Sequence, residues 1–217
     1  MKSRWTLALV VLLTVAARLA AATAPLPSLD AAELARGPFS NMHMLLEKTF
    51  LKIDVATIDV RVGKRVQGEF SRLASGKRYS DALEAQLARA ALQADHALIQ
   101  LTFVRDVPLG RWIGGVRDSL EKASEAGLIA VELRRRVSEG LPEWFRAIEA
   151  EGFQSGDRVL YEIRAASLRT LVVTRAGKVL VDRSDKGDAI PRLVLASYFA
   201  PDTDYRTPLL TSLIERQ

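Results

Sequence analysis

The chain has 217 residues, 48% of them apolar and 26% charged, with 8 prolines, a balance that fits one folded domain and excludes a disordered or fibrous chain. Cysteine is absent, so thiol catalysis, thiolate metal sites and disulfide staples are excluded, and stability must come from burial. The formal charge is +5, and much of it sits at the very start.

Residues 1–22 open with two cations, Lys2 and Arg4, followed by an apolar run from Trp5 to Ala17 and then small residues with Ala20 and Ala22 in an A-x-A pattern. This is the layout of a secretory signal peptide, and cleavage is expected after Ala22. The run is shorter than the roughly 20 residues of a membrane span, and Arg18 interrupts it, so the membrane is expected to matter only during export. Cleavage leaves 28 of the 31 cations against 26 acids, a formal charge of +2. So small an excess argues against a nucleic-acid partner, and Arg134, Arg135 and Arg136 read as a solvated helix face. The expected location is the periplasm or the exterior.

Residues 23–43, with three prolines, read as a linker, and residues 44–217 as the domain. In KTFLKIDVATIDVRV the apolar alternation changes phase near Ala56 and Thr57, which predicts a bulged strand. Gly63 to Gly76 reads as loop. Ser80 and Asp81 then precede ALEAQLARAALQA, a helix behind a good N-cap. From Ala97 the period becomes two, with Ala97, Ile99, Leu101 and Phe103 on one face and Arg105 ending it.

Pro108 opens a helix through RWIGGVRDSLEKASEAG, weakened by Gly114 and Gly115, and a second helical stretch runs from Leu128 to Val137. LPEWFRAIEAEG predicts a short helix with Pro142 in its first turn. Residues 158–165, 171–175 and 178–182 predict three consecutive antiparallel strands, with a tight reversal at Ala176 and Gly177. DRSDKGD, 182–188, reads as a turn, since an EF-hand loop would end in glutamate. DAIPRLVLASYFA and TPLLTSLIER close the chain as helices. Strand, helix, strand, helices, strand meander and helices give the α+β class, one antiparallel sheet with helices on one face.

KIDVATIDVRV, then LTFVRDVP before a helix, then GDRVLYEI with a GKVLVD hairpin, and finally RLVLASYFAPDTDYRTPLLTSL together resemble the chalcone isomerase-like family, in its exported bacterial branch. The resemblance spans roughly residues 40 to 213 and rests on segment order and spacing. It implies an open-faced β-sandwich, a large antiparallel sheet under a helical layer, with a ligand cleft between. In true chalcone isomerases an arginine, a threonine, a tyrosine and an asparagine close the flavanone ring. Here the threonine position falls at Asp54, the tyrosine position at Val107 and the asparagine position near Gly114, and no arginine stands between Met42 and Leu51. A missing oxyanion donor costs about 3 kcal/mol of barrier, so no catalytic residue is assigned and the isomerase activity is not expected. Fatty-acid-binding members hold a carboxylate with an arginine and a tyrosine, and those positions are not reproduced either.

The expected ligand-binding set is Arg105, Phe103, Leu101, Tyr161 and Tyr198. Arg105 follows the apolar face of Phe103 and Leu101, where a guanidinium could pair bidentately with a carboxylate in low dielectric. The plainer reading lays its stem on apolar surface with the head in water, or on a helix C-terminus. Tyr161, Tyr198 and Tyr205 could offer hydroxyls to a cleft, or be core residues with satisfied tips. Asp54 reads as solvent-facing or cross-strand paired. Ser119 and Lys122 match S-x-x-K without its partner motifs. His43 and His96, the only histidines, lack the acidic spacing of a metal cage, so neither metal nor cofactor is expected. No phosphate loop and no G-x-S-x-G occurs.

The functional expectation is therefore an exported, non-catalytic protein that binds a fatty acid or similar small apolar carboxylate between sheet and helices. The alternatives are an envelope interaction module with a filled interior, and an unrecognised isomerase or lyase.

Overall fold

The computed structural model describes residues 33–48 and 53–215; the expected signal peptide, 1–22, and residues 23–32 of the expected linker lie outside the described residues. Six strands form one sheet in sequence order, each antiparallel to the next: β1 (Asn41–Lys48), β2 (Ile53–Val62), β3 (His96–Phe103), β4 (Arg158–Arg164), β5 (Ser167–Val173) and β6 (Val179–Lys186). Helices α1 (Lys64–Ala74) and α2 (Asp81–Ala91) connect β2 to β3. Between β3 and β4 lie α3 (Leu109–Glu125), α4 (Val131–Trp144) and a 3-10 turn at Arg146–Ile148, and α5 (Ala189–Phe199) and α6 (Arg206–Glu215) follow β6. The α+β class and the open-faced sandwich expected from the sequence are what the chain forms.

Alternation decides which face is covered. On β3, Ala97, Ile99, Leu101 and Phe103 are buried and their neighbours are not, as the period of two required. Register carries this face across the sheet: one row runs Met42, Val60, Ile99, Tyr161, Thr170, Arg183. The inner-face apolar residues share one core with Val66 and Phe70 of α1, Leu87 of α2, Leu120 of α3 and Leu195 and Phe199 of α5. Each such side chain contributes about 1.5–3 kcal/mol on leaving water.

Several expectations are corrected. The packed region starts before position 44: β1 begins at Asn41, Leu34 and Ala35 are buried, and Leu34 bridges Gly63. The stretch read as loop from Gly63 to Gly76 contains α1, because Val66, Phe70, Leu73 and Ala74 recur at helical spacing and bury. The bulge expected near Ala56 and Thr57 is present, one residue earlier at Val55, since Leu46 pairs with Ala56 and Glu47 with Asp54. DRSDKGD is no turn: β6 runs through it to Lys186, with Val181, Arg183 and Asp185 on the inner face.

Pro142 sits in the last turn of α4, not the first turn of a separate helix. Proline has no N–H to give to Ser138, four residues earlier, and that carbonyl is taken instead by the Arg117 guanidinium of α3 at 2.8 Å. A proline near the helix end thus costs no unpaired carbonyl, and it joins α3 to α4. Ser80 caps α2 as expected, accepting from the Leu83 N–H at 3.3 Å.

Candidate functional site

The strand that carries Leu101 and Phe103 stops at Phe103, because the chain turns away to pair with the segment before β4. Phe103 donates to the Asp157 carbonyl at 3.0 Å and accepts from Gly156 N–H at 2.8 Å. Val107 exchanges bonds with Phe153 at 2.8 and 2.9 Å. Asp106 accepts the Ser155 N–H at 2.9 Å. These bonds fix the junction from which α3 rises over the sheet.

Between the inner face and the helices lies a cavity of about 400 Å³. Its floor includes Leu101, Phe103, Tyr161, Thr170 and Val181; its roof comes from α3, α4 and α5, with Trp112, Leu141, Val194 and Tyr198. An aromatic chain closes one side: Phe103 stacks on Phe153 at 4.2 Å, and Trp112 meets Phe153 and Phe145 edge-on at 5.2 and 4.6 Å. Gly114 and Gly115 line the roof, and a Cβ at either would meet nothing within 4 Å. The two residues that weaken α3 in propensity therefore leave room in the cavity.

All five residues singled out from the sequence, Arg105, Phe103, Leu101, Tyr161 and Tyr198, line this one cavity. Arg105 differs from expectation in its setting. It stands beyond the end of β3, exposed at the rim with Arg111, Asp106 and Asp118, so it is not held in low dielectric beside Phe103. The parity argument fails there because the pleat ends two residues earlier. Its guanidinium has no ion pair or hydrogen bond among the described residues, so neither does it bond a helix C-terminus. Val107 and Gly114 face the cavity too, one buried and apolar, the other without a side chain; the side chain of Asp54 lies outside the described residues.

Deeper in, the polar groups are chiefly hydroxyls. Burial raises the Tyr161 phenol above its ordinary value, and the neighbouring Tyr205 adds to the shift. Burial does the same to Tyr198, with Tyr161 and Tyr205 reinforcing it. Both phenols stay protonated at neutral pH, as donors. Tyr198 and Tyr205 have ring centres 5.0 Å apart.

Sequence reasoning missed the ion pair on β6. Arg183 donates bidentately to Asp185 at 2.9 and 2.5 Å, and its guanidinium carbon lies 4.1 Å from the centre of the Trp144 ring. All three line the cavity. The signal was the alternation Val181, Arg183, Asp185 continuing through a charged segment. His43, by contrast, pairs with Asp59 at 2.8 Å on β1 and β2, outside the cavity lining.

A six-stranded antiparallel sheet under a helical layer, with a cavity between them, is a chalcone isomerase-like fold. Comparison with solved structures agrees: the chain is similar to a fatty-acid-binding protein of Arabidopsis thaliana, with a TM-score of 0.57 and 12% identity over 87% of this chain and 91% of that one. No family model and no curated protein sequence matches the chain.

Proposed function

We propose that the chain is a non-catalytic binding protein that takes a small apolar carboxylate, such as a fatty acid, into the space between sheet and helices. The observation that carries this reading is the cavity of about 400 Å³, apolar over most of its wall, with an unpaired arginine at its rim. An acyl chain in such a space leaves water, while its carboxylate remains near the surface, where Arg105 compensates its charge without the cost of full burial. The fatty-acid-binding function of the Arabidopsis neighbour is consistent with this choice of ligand. An interaction module with a filled interior fits a cavity of about 400 Å³ less well.

The same proposal takes residues 1–22 as an export signal, so the mature chain would start at Thr23 in the periplasm or outside the cell. N-terminal sequencing of the protein from exporting cells tests that part.

Titration with laurate and with a neutral lipophilic dye tests the cavity. Both should bind wild type, and Arg105→Ala should weaken laurate while leaving the dye unchanged. Equal laurate affinity for both forms would remove Arg105 from the site, and exclusion of both probes would remove the site itself.

A further inference from the structure

Three hydroxyl-bearing side chains, Tyr161, Thr170 and Tyr198, line the cavity without a hydrogen bond among the described residues. Tyr161 and Thr170 are direct cross-strand partners on β4 and β5, both on the face under the helices. Tyr198 faces the same cavity from α5, and ionisation of Tyr161 would be felt at its phenol. Thr170 and Tyr198 are each only 6% exposed, and all three line the cavity. No hydrogen bond to these hydroxyls forms among the described residues, and their oxygens open on the cavity rather than being sealed in the core. Buried hydroxyls are ordinarily paired, because one taken out of water without a partner keeps its desolvation cost.

Charge decides what could pair them. The inner-face cation of the neighbouring strand, Arg183, is already neutralised by the two oxygens of Asp185. A second carboxylate at this depth would meet three neutral hydroxyls and no free positive charge, which is a poor exchange for its hydration. An uncharged oxygen has no such penalty and accepts what phenols and a threonine donate.

We infer that the ligand carries an uncharged oxygen, a keto or hydroxyl group partway along its apolar body, received by the hydroxyls of Tyr161, Thr170 and Tyr198. This rests on the cavity reading above, with the carboxylate at the rim beside Arg105. The ligand class narrows to oxygenated acyl chains. Phenols held protonated by burial supply donors across the neutral pH range.

The test compares laurate with its mid-chain keto analogue on the full chain, by calorimetric titration of wild type, Tyr198→Phe and Thr170→Val. The keto acid should bind wild type about tenfold more tightly than laurate, and each substitution should bring the ratio of the two affinities down toward one. Circular dichroism of the two near-isosteric variants checks that they fold. Equal affinity of wild type for the two acids would overturn the inference, water then being the partner of the hydroxyls, and would leave the cavity reading standing. The same holds for a preference that survives both substitutions. Failure of both acids together with the neutral dye would overturn both.

Discussion

Gly140 lies directly beneath the indole of Trp144, one turn further along α4: a Cβ at position 140 would fall 2.5 Å from the ring's Cζ2. The glycine lets the ring lie flat on its own helix, where it receives Arg183. Alanine normally improves a helix interior by about 1 kcal/mol over glycine. In Gly140→Ala that gain should be cancelled by displacement of the indole, and tryptophan emission should shift to the red; a clear rise in Tm with unchanged emission would contradict the packing.

At Gly114 and Gly115 the opposite outcome follows, since an added Cβ meets only open space. Gly114→Ala and Gly115→Ala should each stabilise the fold by about 0.4–1 kcal/mol in chemical denaturation. Gly115→Leu should keep the fold and lose laurate, because its side chain enters the cavity.

Arg105 is exposed and unpaired among the described residues, so its removal should not register in stability. Arg105→Ala should unfold within about 0.5 kcal/mol of wild type. Loss of laurate affinity without loss of stability is the signature that separates a binding residue from a structural one.

Asp157 is buried at 4% exposure and accepts two backbone N–H groups, from Gln154 and Arg175, each at 2.9 Å. Asp157→Ala strands both donors where the start of β4 meets the β5–β6 hairpin. Each unpaired donor costs about 1–3 kcal/mol, so the variant should be among the least stable single substitutions in this chain.

Glu84 of α2 joins α2 to α6. It pairs with Arg206 at 2.8 Å, accepts from Thr207 at 2.8 Å and accepts from the Tyr79 hydroxyl. Burial alone would raise its carboxyl, but the bonds from Tyr79, Thr207 and Arg206 outweigh burial and hold it below the usual 4.5. A depressed carboxyl gives its stabilisation in full above the unfolded value and loses it as pH falls through the folded one, so this contribution should fade below about pH 4.5. Tyr79 is pushed up to about 12 from 10.0, mainly by burial and then by Glu84, so its share is intact below pH 10 and fades as pH rises through 12. Glu84→Gln should flatten the acid limb of a Tm-against-pH curve.

Much of this arrangement was open to sequence reasoning. The alternation of β3, the Ser80 cap, the strand meander and the closing helices each rest on a local pattern that burial enforces. What escaped had its signal overlaid by composition. In α1, Val66, Phe70, Leu73 and Ala74 keep helical spacing, but Gly63, Gly68 and Gly76 around them read as loop. In β6, charges occupy the inner positions of a strand, against the rule that such positions are apolar, because they line a cavity and not a packed core. Arg105 was found by parity although the strand ends before reaching it, so its presence at the cavity was legible and its exposure was not. Thr170 had no distinguishing pattern at all; only the register with Tyr161 marks it.

The end strand β6 has one further property. An open sheet offers the backbone of its last strand to any passing extended segment, and a greasy border would invite fibre growth. Here Arg183 and Asp185 charge one side of that border while Asp182, tied to Arg169 at 2.6 Å, and Lys186 charge the other. A foreign strand zipping on would have to strip hydration from both sides at once, so the groups that furnish the interior also guard the molecule against templated self-association.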